Sequence, residues 1–220
     1  MSSPVTEIAY MPLVAGTDLT TGDAKLIWDG MLKTIAAQPG CKSVYWGLQV
    51  ENPDIAQLAI DWKSLEAHKT FERSETYPPF LAALKPILAG APTIFHLTLS
   101  PPTPFSTPIS APTTECISLY FTSDHSTAAY DANWAAFVDT AGKVPSEAQG
   151  LAGGWGVEEH EYAKEGEQGG KKKFFGGFIG WPSVEAHMQF RKEEAFRGVV
   201  GHLRDGPVGI KVHHVHFRKF

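Results

Sequence analysis

The stretch Trp62-Lys-Ser-Leu-Glu-Ala-His-Lys-Thr-Phe71 returns as Trp181-Pro-Ser-Val-Glu-Ala-His-Met-Gln-Phe190. Trp, Ser, Glu, Ala, His and Phe coincide at a constant offset of 119 residues, and Leu65 is matched by Val184. Six identities in ten positions, two of them the rarer tryptophan and histidine, mark an internal duplication, which fixes the architecture before any local propensity does. Upstream, Gly40-Cys-Lys-Ser-Val-Tyr-Trp46-Gly47 faces Gly150-Leu-Ala-Gly-Gly-Trp155-Gly156 at an offset of 109, so the second copy gains ten residues between its tryptophans. They fall in the polar, glycine-rich run Glu159 to Lys173, which suits a solvated hairpin loop. Downstream, Ile94-Phe-His96-Leu-Thr-Leu99 faces Val212-His-His214-Val-His-Phe217 at an offset of 118. Length changes confined to loops are what a duplicated fold leaves behind.

Each copy reads strand, helix, strand, strand, helix, strand. In the first, Glu7 to Val14 alternates as a strand, and Asp23 to Ala37 carries Leu26, Ile27, Met31, Leu32 and Ile35 at helical spacing, ended by Pro39-Gly40. Ser43 to Val50 and Ile55 to Trp62 are strands around Glu51-Asn52-Pro53-Asp54. A helix follows from Ser64 to Arg73; Tyr77-Pro78-Pro79 breaks it before a second helix, Phe80 to Leu88, and Thr93 to Leu99 is the last strand. The second copy repeats this as strands over Glu115 to Thr122, Gly150 to Glu161, Lys173 to Trp181 and Ile210 to Phe217, with helices over Ala128 to Ala141 and Ser183 to Phe196. Residues 1–100 and 113–220 are the two halves. Residues 101–112 join them as a linker that the prolines of Ser100 to Pro112, five in 13 residues, make extended and stiff.

Two βαββαβ units are two ferredoxin-like halves of an α+β protein, each an antiparallel sheet with helices on one face. The bare faces, once joined, predict a pseudo-dimeric α/β barrel within one chain, with room for a further homodimer. The order of elements, and a strand ending in Trp followed by S-x-E-A-H-x-x-F, resemble the antibiotic-biosynthesis-monooxygenase-like family of dimeric α/β barrels, here as two copies in tandem. The resemblance spans nearly the whole chain at the level of fold, and its sharp part is the ten-residue motif. It implies a small-molecule chemistry from a wide menu: cofactor-independent oxygenation of aromatic polyketides, cyclisation, haem degradation, isomerisation or dehydration. A scaffold this versatile implies fold more strongly than reaction.

Composition narrows the partners. A hydrophobic fraction of 43%, a charged fraction of 20% and a formal net charge of −5 describe an ordinary globular chain with no basic face for nucleic acid. Lys171 to Lys173, the one basic run, lies in the inserted loop. No apolar run approaches the roughly 20 residues of a membrane span. The opening residues show neither the basic nor the apolar region of a secretory signal, and Cys41 and Cys116 have no redox or metal spacing. These features predict a cytoplasmic protein.

The candidate site residues follow from the repeat. His68 and His187 lie one helical turn beyond Ser64 and Ser183, on a face expected to meet the sheet, where an imidazole serves as acid or base, or as a structural hydrogen-bonding group beyond a capping serine. His187 and His214 are the predicted catalytic pair. Trp155, Trp181, Phe178 and His216 are predicted to line the substrate pocket, together with Trp46, Trp62, His68 and His96, the first-copy counterparts of Trp155, Trp181, His187 and His214. Gly153-Gly154-Trp155-Gly156 and Gly176-Gly177-Phe178-Ile179-Gly180 either hollow the second sheet into the roomier pocket or admit tight helix packing. His214 and His216 share one face of a strand and form an H-x-H pair. A metal would need a third ligand from Glu158, His160 or His187, and no established zinc spacing is present, so no metal is predicted. No Walker loop, dinucleotide fingerprint or nucleophile elbow occurs, so no cofactor is predicted either. The resulting expectation is a cofactor-independent enzyme of secondary metabolism acting on a hydrophobic, aromatic or polyketide-derived molecule, foremost an oxygenase. A cyclase or isomerase working by acid–base catalysis, and a non-catalytic small-molecule-binding barrel, are the alternatives.

Overall fold

The computed structural model describes residues 3–100, 105–164, 166 and 168–220. In chain order the elements are β1 (Val5–Pro12), α1 (Gly22–Ala36), β2 (Cys41–Leu48), β3 (Ile55–Trp62), α2 (Leu65–Glu72), α3 (Tyr77–Leu84) and β4 (Thr93–Leu99). There follow α4 (Ser106–Ile109), β5 (Thr113–Phe121), α5 (Thr127–Ala141), β6 (Leu151–Gly156), β7 (His160–Tyr162), β8 (Gly170–Trp181), α6 (Val184–Phe190), α7 (Glu194–Arg204), β9 (Gly209–Val215) and β10 (Arg218–Lys219). The chain divides into two compact units, one of Met1–Thr98 with Val215–Phe220 and one of Leu99–His214.

In the first unit the strands run in the order β10-β2-β3-β1-β4. The central antiparallel pairing sets Glu7 opposite Ile60 on β3 and opposite His96 on β4. Apolar side chains of alternate strand residues, among them Ala9, Met11, Val44, Trp46, Leu58, Ile60 and Trp62, meet Trp28, Met31, Leu32 and Ile35 of α1, Phe71 of α2 and Leu84 of α3. The second unit repeats the order as β6-β8-β5-β9, with β7 paired to the early part of β8. Its core sets Ile117, Leu119, Phe121, Phe175, Ile179 and Trp181 of the sheet against Tyr130, Trp134 and Phe137 of α5 and Val199 and Leu203 of α7. Two ferredoxin-like halves are present, each with helices packed on one face of an antiparallel sheet.

Several expectations need correcting. The second-copy strand expected over Gly150 to Glu161 breaks after Gly156, and His160–Tyr162 resumes as the short hairpin partner of β8, pairing Tyr162 with Gly170. The helix expected over Ser183 to Phe196 is two helices, because Glu193 turns extended and begins α7. The proline-rich joint is not wholly extended. Pro101 to Pro104 lie outside the described residues, but Ser106–Ile109 is helical, and Phe105, Pro108 and Ile109 are buried. Apolar residues between the prolines anchor this segment to the second unit. The last six residues group with the first unit, where β10 sets Arg218 opposite Trp46.

The glycines of β6 and β8 do not hollow the sheet. A Cβ on Gly153 would lie 2.6 Å from Trp134 and 2.8 Å from Phe175, and one on Gly177 would lie 3.5 Å from the same indole. The space that Gly153 and Gly177 vacate is filled by Trp134, which lets α5 pack close to the strands.

Candidate functional site

The site begins with a carboxyl group at an inward-facing strand position. Glu7 and His96 are cross-strand partners and share a sheet face, with Trp62 diagonally across on β3. The indole Nε1–H of Trp62 donates to Glu7 Oε2 at 2.7 Å. Ser64 caps α2 through its hydroxyl, which accepts from the Ala67 N–H, and this places His68 one turn later over the sheet. There its imidazole lies flat on Trp62, with ring centroids 5.0 Å apart and planes 16° apart. Its Nδ1 is 2.7 Å from His96 Nε2 and 3.4 Å from Glu7 Oε2.

The second copy rebuilds the same constellation. Trp181 Nε1–H donates to Glu115 Oε2 at 3.0 Å, and Ser183 caps α6 by accepting from Ala186 N–H. His187 stacks on Trp181 at 5.0 Å and 19°. Its Nδ1 is 2.8 Å from His214 Nε2, and its Nε2 is 3.4 Å from Glu115 Oε2. All six of these acids and histidines are buried. Burial pushes both Glu7 and Glu115 up from 4.5 to about 7, opposed in each case by the tryptophan hydrogen bond. Two imidazole nitrogens at hydrogen-bond distance need one proton between them. Each copy therefore holds a carboxyl group that titrates near neutrality beside a proton-sharing histidine pair.

The Glu7–His68–His96 donors all lie within 4.8 Å of one another, and these three residues could hold a metal ion. At Zn–N bonds near 2.05 Å, two imidazoles on one tetrahedral zinc sit about 3.3 Å apart. The 2.7 Å between His68 and His96 is that of a shared proton, and the rings would have to spread to admit a cation.

The copies differ in what surrounds this centre. In the second unit it opens on a cavity of about 190 Å³ lined by Glu115, Trp181, His187 and Arg191 together with apolar residues of α5, α7 and β9. The matching cavity in the first unit is about 40 Å³. There Phe71, Tyr77 and Phe80 pack against one another, with centroids 5.1 to 5.6 Å apart, and fill the space under α3.

Of the residues singled out from sequence, Trp181 and His187 line the larger cavity, and His214 stands behind His187. Trp62 and His68 line the smaller one, with His96 behind. Phe178 points from the other face of β8, edge-on to Phe105. Trp155 donates to Asp131 and packs with Phe121, Tyr130 and Phe175, away from the cavity. Trp46 packs on Trp28, with the Arg218 guanidinium 4.1 Å over its ring. β9 ends at Val215, so His216 is exposed and does not share a strand face with His214. Sequence reasoning missed Glu7 and Glu115. The available signal was the Thr-Glu pair that opens the first strand of each copy, Thr6-Glu7 and Thr114-Glu115, placing a charge in a strand otherwise rich in buried residues.

No family model matches the sequence, and no curated protein does. Solved structures do match. An anthrone oxidase-like protein aligns over 99% of this chain and 94% of its own, with 16% identity and a TM-score of 0.64. A candidate monooxygenase from Lactobacillus acidophilus aligns over 98% and 94%, with 9% identity and a TM-score of 0.63. Another, from Fusobacterium nucleatum, aligns over 99% and 94%, with 10% identity and a TM-score of 0.60. At such identities the likeness is one of fold. The chain shares the fold of these proteins over nearly its whole length, in two ferredoxin-like halves. Among the described residues no helix is long and apolar enough to cross a membrane.

Proposed function

We propose that the second unit is the active site of a cofactor-independent oxygenase for a small, electron-rich aromatic molecule, and that the first unit keeps the same centre as framework. The observation that carries this reading is the Glu115–His187–His214 chain, buried yet bordering an apolar cavity of about 190 Å³, where its counterpart borders one of about 40 Å³. A general base is most effective where its conjugate acid is poised near the working pH, and a carboxyl at about 7 beside shared imidazole protons meets that condition. The apolar wall excludes water and favours a neutral ring.

In this scheme His187 takes a proton from an activated C–H, with Glu115 and His214 sharing the charge. The substrate carbanion passes one electron to dioxygen, and the resulting radical pair joins as a hydroperoxide. The stored proton completes that hydroperoxide, and the base then removes the second C–H proton as the O–O bond breaks and passes it to the leaving hydroxide, so that CH₂ and O₂ become C=O and H₂O. The similarity in fold to an anthrone oxidase-like protein supports this reading over cyclisation or isomerisation.

The cavity is smaller than the roughly 300–1,000 Å³ usual for drug-sized ligands, and only slightly larger than the about 150 Å³ that accepts benzene. The substrate is therefore about one ring in size. Oxygen consumption by metal-free protein over a panel of one-ring hydroquinones, phenols and benzylic ketones tests the proposal. Substrate-dependent uptake, one O₂ per carbonyl formed, is expected. Conversion of any of them without oxygen uptake would assign the site to isomerisation or cyclisation instead.

A further inference from the structure

The two copies differ in charge beside the stacked histidine. In the first, Glu72 reaches to within 3.7 Å of His68 Nε2 and pairs with Lys69 Nζ at 2.8 Å. At the equivalent positions, 119 residues on, the second copy has Arg191 and Met188. A neutralised acid–base pair has become a thioether and a single cation. Arg191 lines the larger cavity, its Nη1 lying 3.6 Å from Met188 Sδ, and Arg204 lines the same cavity from the end of α7. Among the described residues neither arginine is in an ion pair.

We infer that this cavity takes a carboxylate-bearing molecule of about one ring, its apolar body against Trp181 and Val199 and its carboxylate at the rim on Arg191, with Arg204 adding to the positive field. A guanidinium presents two parallel N–H donors that match a carboxylate, which a lone helix-capping cation has no need of. The volume sets the body size, and the charge exchange sets the sign of the group it carries. The inference deepens the oxygenase reading by naming its substrate class and rests on it only for the chemistry, because it concerns binding.

Titrating the full-length protein with phenylacetate and with its neutral twin phenylacetamide, followed by calorimetry and by intrinsic tryptophan fluorescence, tests it. Phenylacetate should bind about tenfold more tightly at low ionic strength, with the gap narrowing as salt is added. Arg191→Gln should bring the two ligands to parity, and Arg191→Lys should restore part of the difference. Ile210→Trp, at a half-exposed lining position, should weaken both ligands alike. Equal affinity in the unaltered protein, no binding of either, or a gap that survives replacement of both arginines by glutamine would overturn the inference. Arg191-dependent binding without oxygen consumption would leave it standing and remove the oxygenase reading. Oxygenation of neutral phenols at the same kcat/KM by the unaltered protein and by Arg191→Gln would do the reverse.

Discussion

Trp181 holds Glu115 by one hydrogen bond of 3.0 Å from its indole N–H while its ring lies flat under His187. One side chain thus positions both the acid and the base. Trp62 does the same for Glu7 and His68. In Trp181→Phe the stacking surface survives and the donor is lost. The Glu115 carboxyl, already at about 7 because of burial, should move higher still. Carbon-13 titration of the glutamate carboxyls should show two groups titrating near neutrality in the unaltered protein, and only one of them displaced upward in the variant. An unchanged pair would mean that the indole donor contributes nothing to the carboxyl's ionisation.

Both buried carboxyls weaken the fold as pH rises. Their folded values lie above the ordinary 4.5, so the protonated form is the one the native state favours. Their contribution is fully present below about pH 4.5 and is lost as pH rises through about 7. Glu115→Gln keeps the acceptor for Trp181 and removes the ionisation. Its melting temperature relative to the unaltered protein should therefore climb from pH 5 to pH 8, with Glu7→Gln behaving alike. A difference that stays flat over that range would show that these carboxyls do not titrate there.

Gly153 tests the packing of α5. A valine there would drive its Cβ into the Trp134 indole, now 2.6 Å from that position. Overpacking of this kind costs about 1–3 kcal/mol. Gly153→Val should lower the urea midpoint accordingly, and adding Trp134→Phe should recover part of the loss. If Gly153→Val proved neutral, the glycine would not be there for the tryptophan.

The duplication, the order of the elements along the chain and the Trp, Ser and His of the repeated motif were legible in the sequence because they rest on spacing. The motif from Trp62 to Phe71 contains the strand end, the capping serine and the histidine one turn later, all local relationships. His96 and His214 were reachable through the repeat. Glu7 and Glu115 also recur, behind a threonine in each copy, but a lone acidic residue in a strand usually faces water, and the cross-strand register is what turns these two inward. The glycines admitted two readings because an empty side-chain position does not say what enters it, here Trp134 of the preceding helix. His216 was misplaced because alternation holds only as far as the strand continues, and β9 stops one residue earlier.

His187 and His68 share stacking partner, capping serine and histidine neighbour, yet only His187 borders a cavity that can hold a ring. Comparing His187→Gln with His68→Gln for kcat of oxygen consumption and for melting temperature is therefore the most direct measurement. Loss of a general base lowers turnover by about 100- to 10,000-fold, whereas breaking a buried hydrogen bond costs about 1–3 kcal/mol of stability. The expected result is that both variants melt lower by similar amounts while only His187→Gln loses turnover at a temperature where both are folded. Equal loss of activity in the two, in proportion to stability, would make both histidines framework and contradict the assignment of the reactive centre to the second unit.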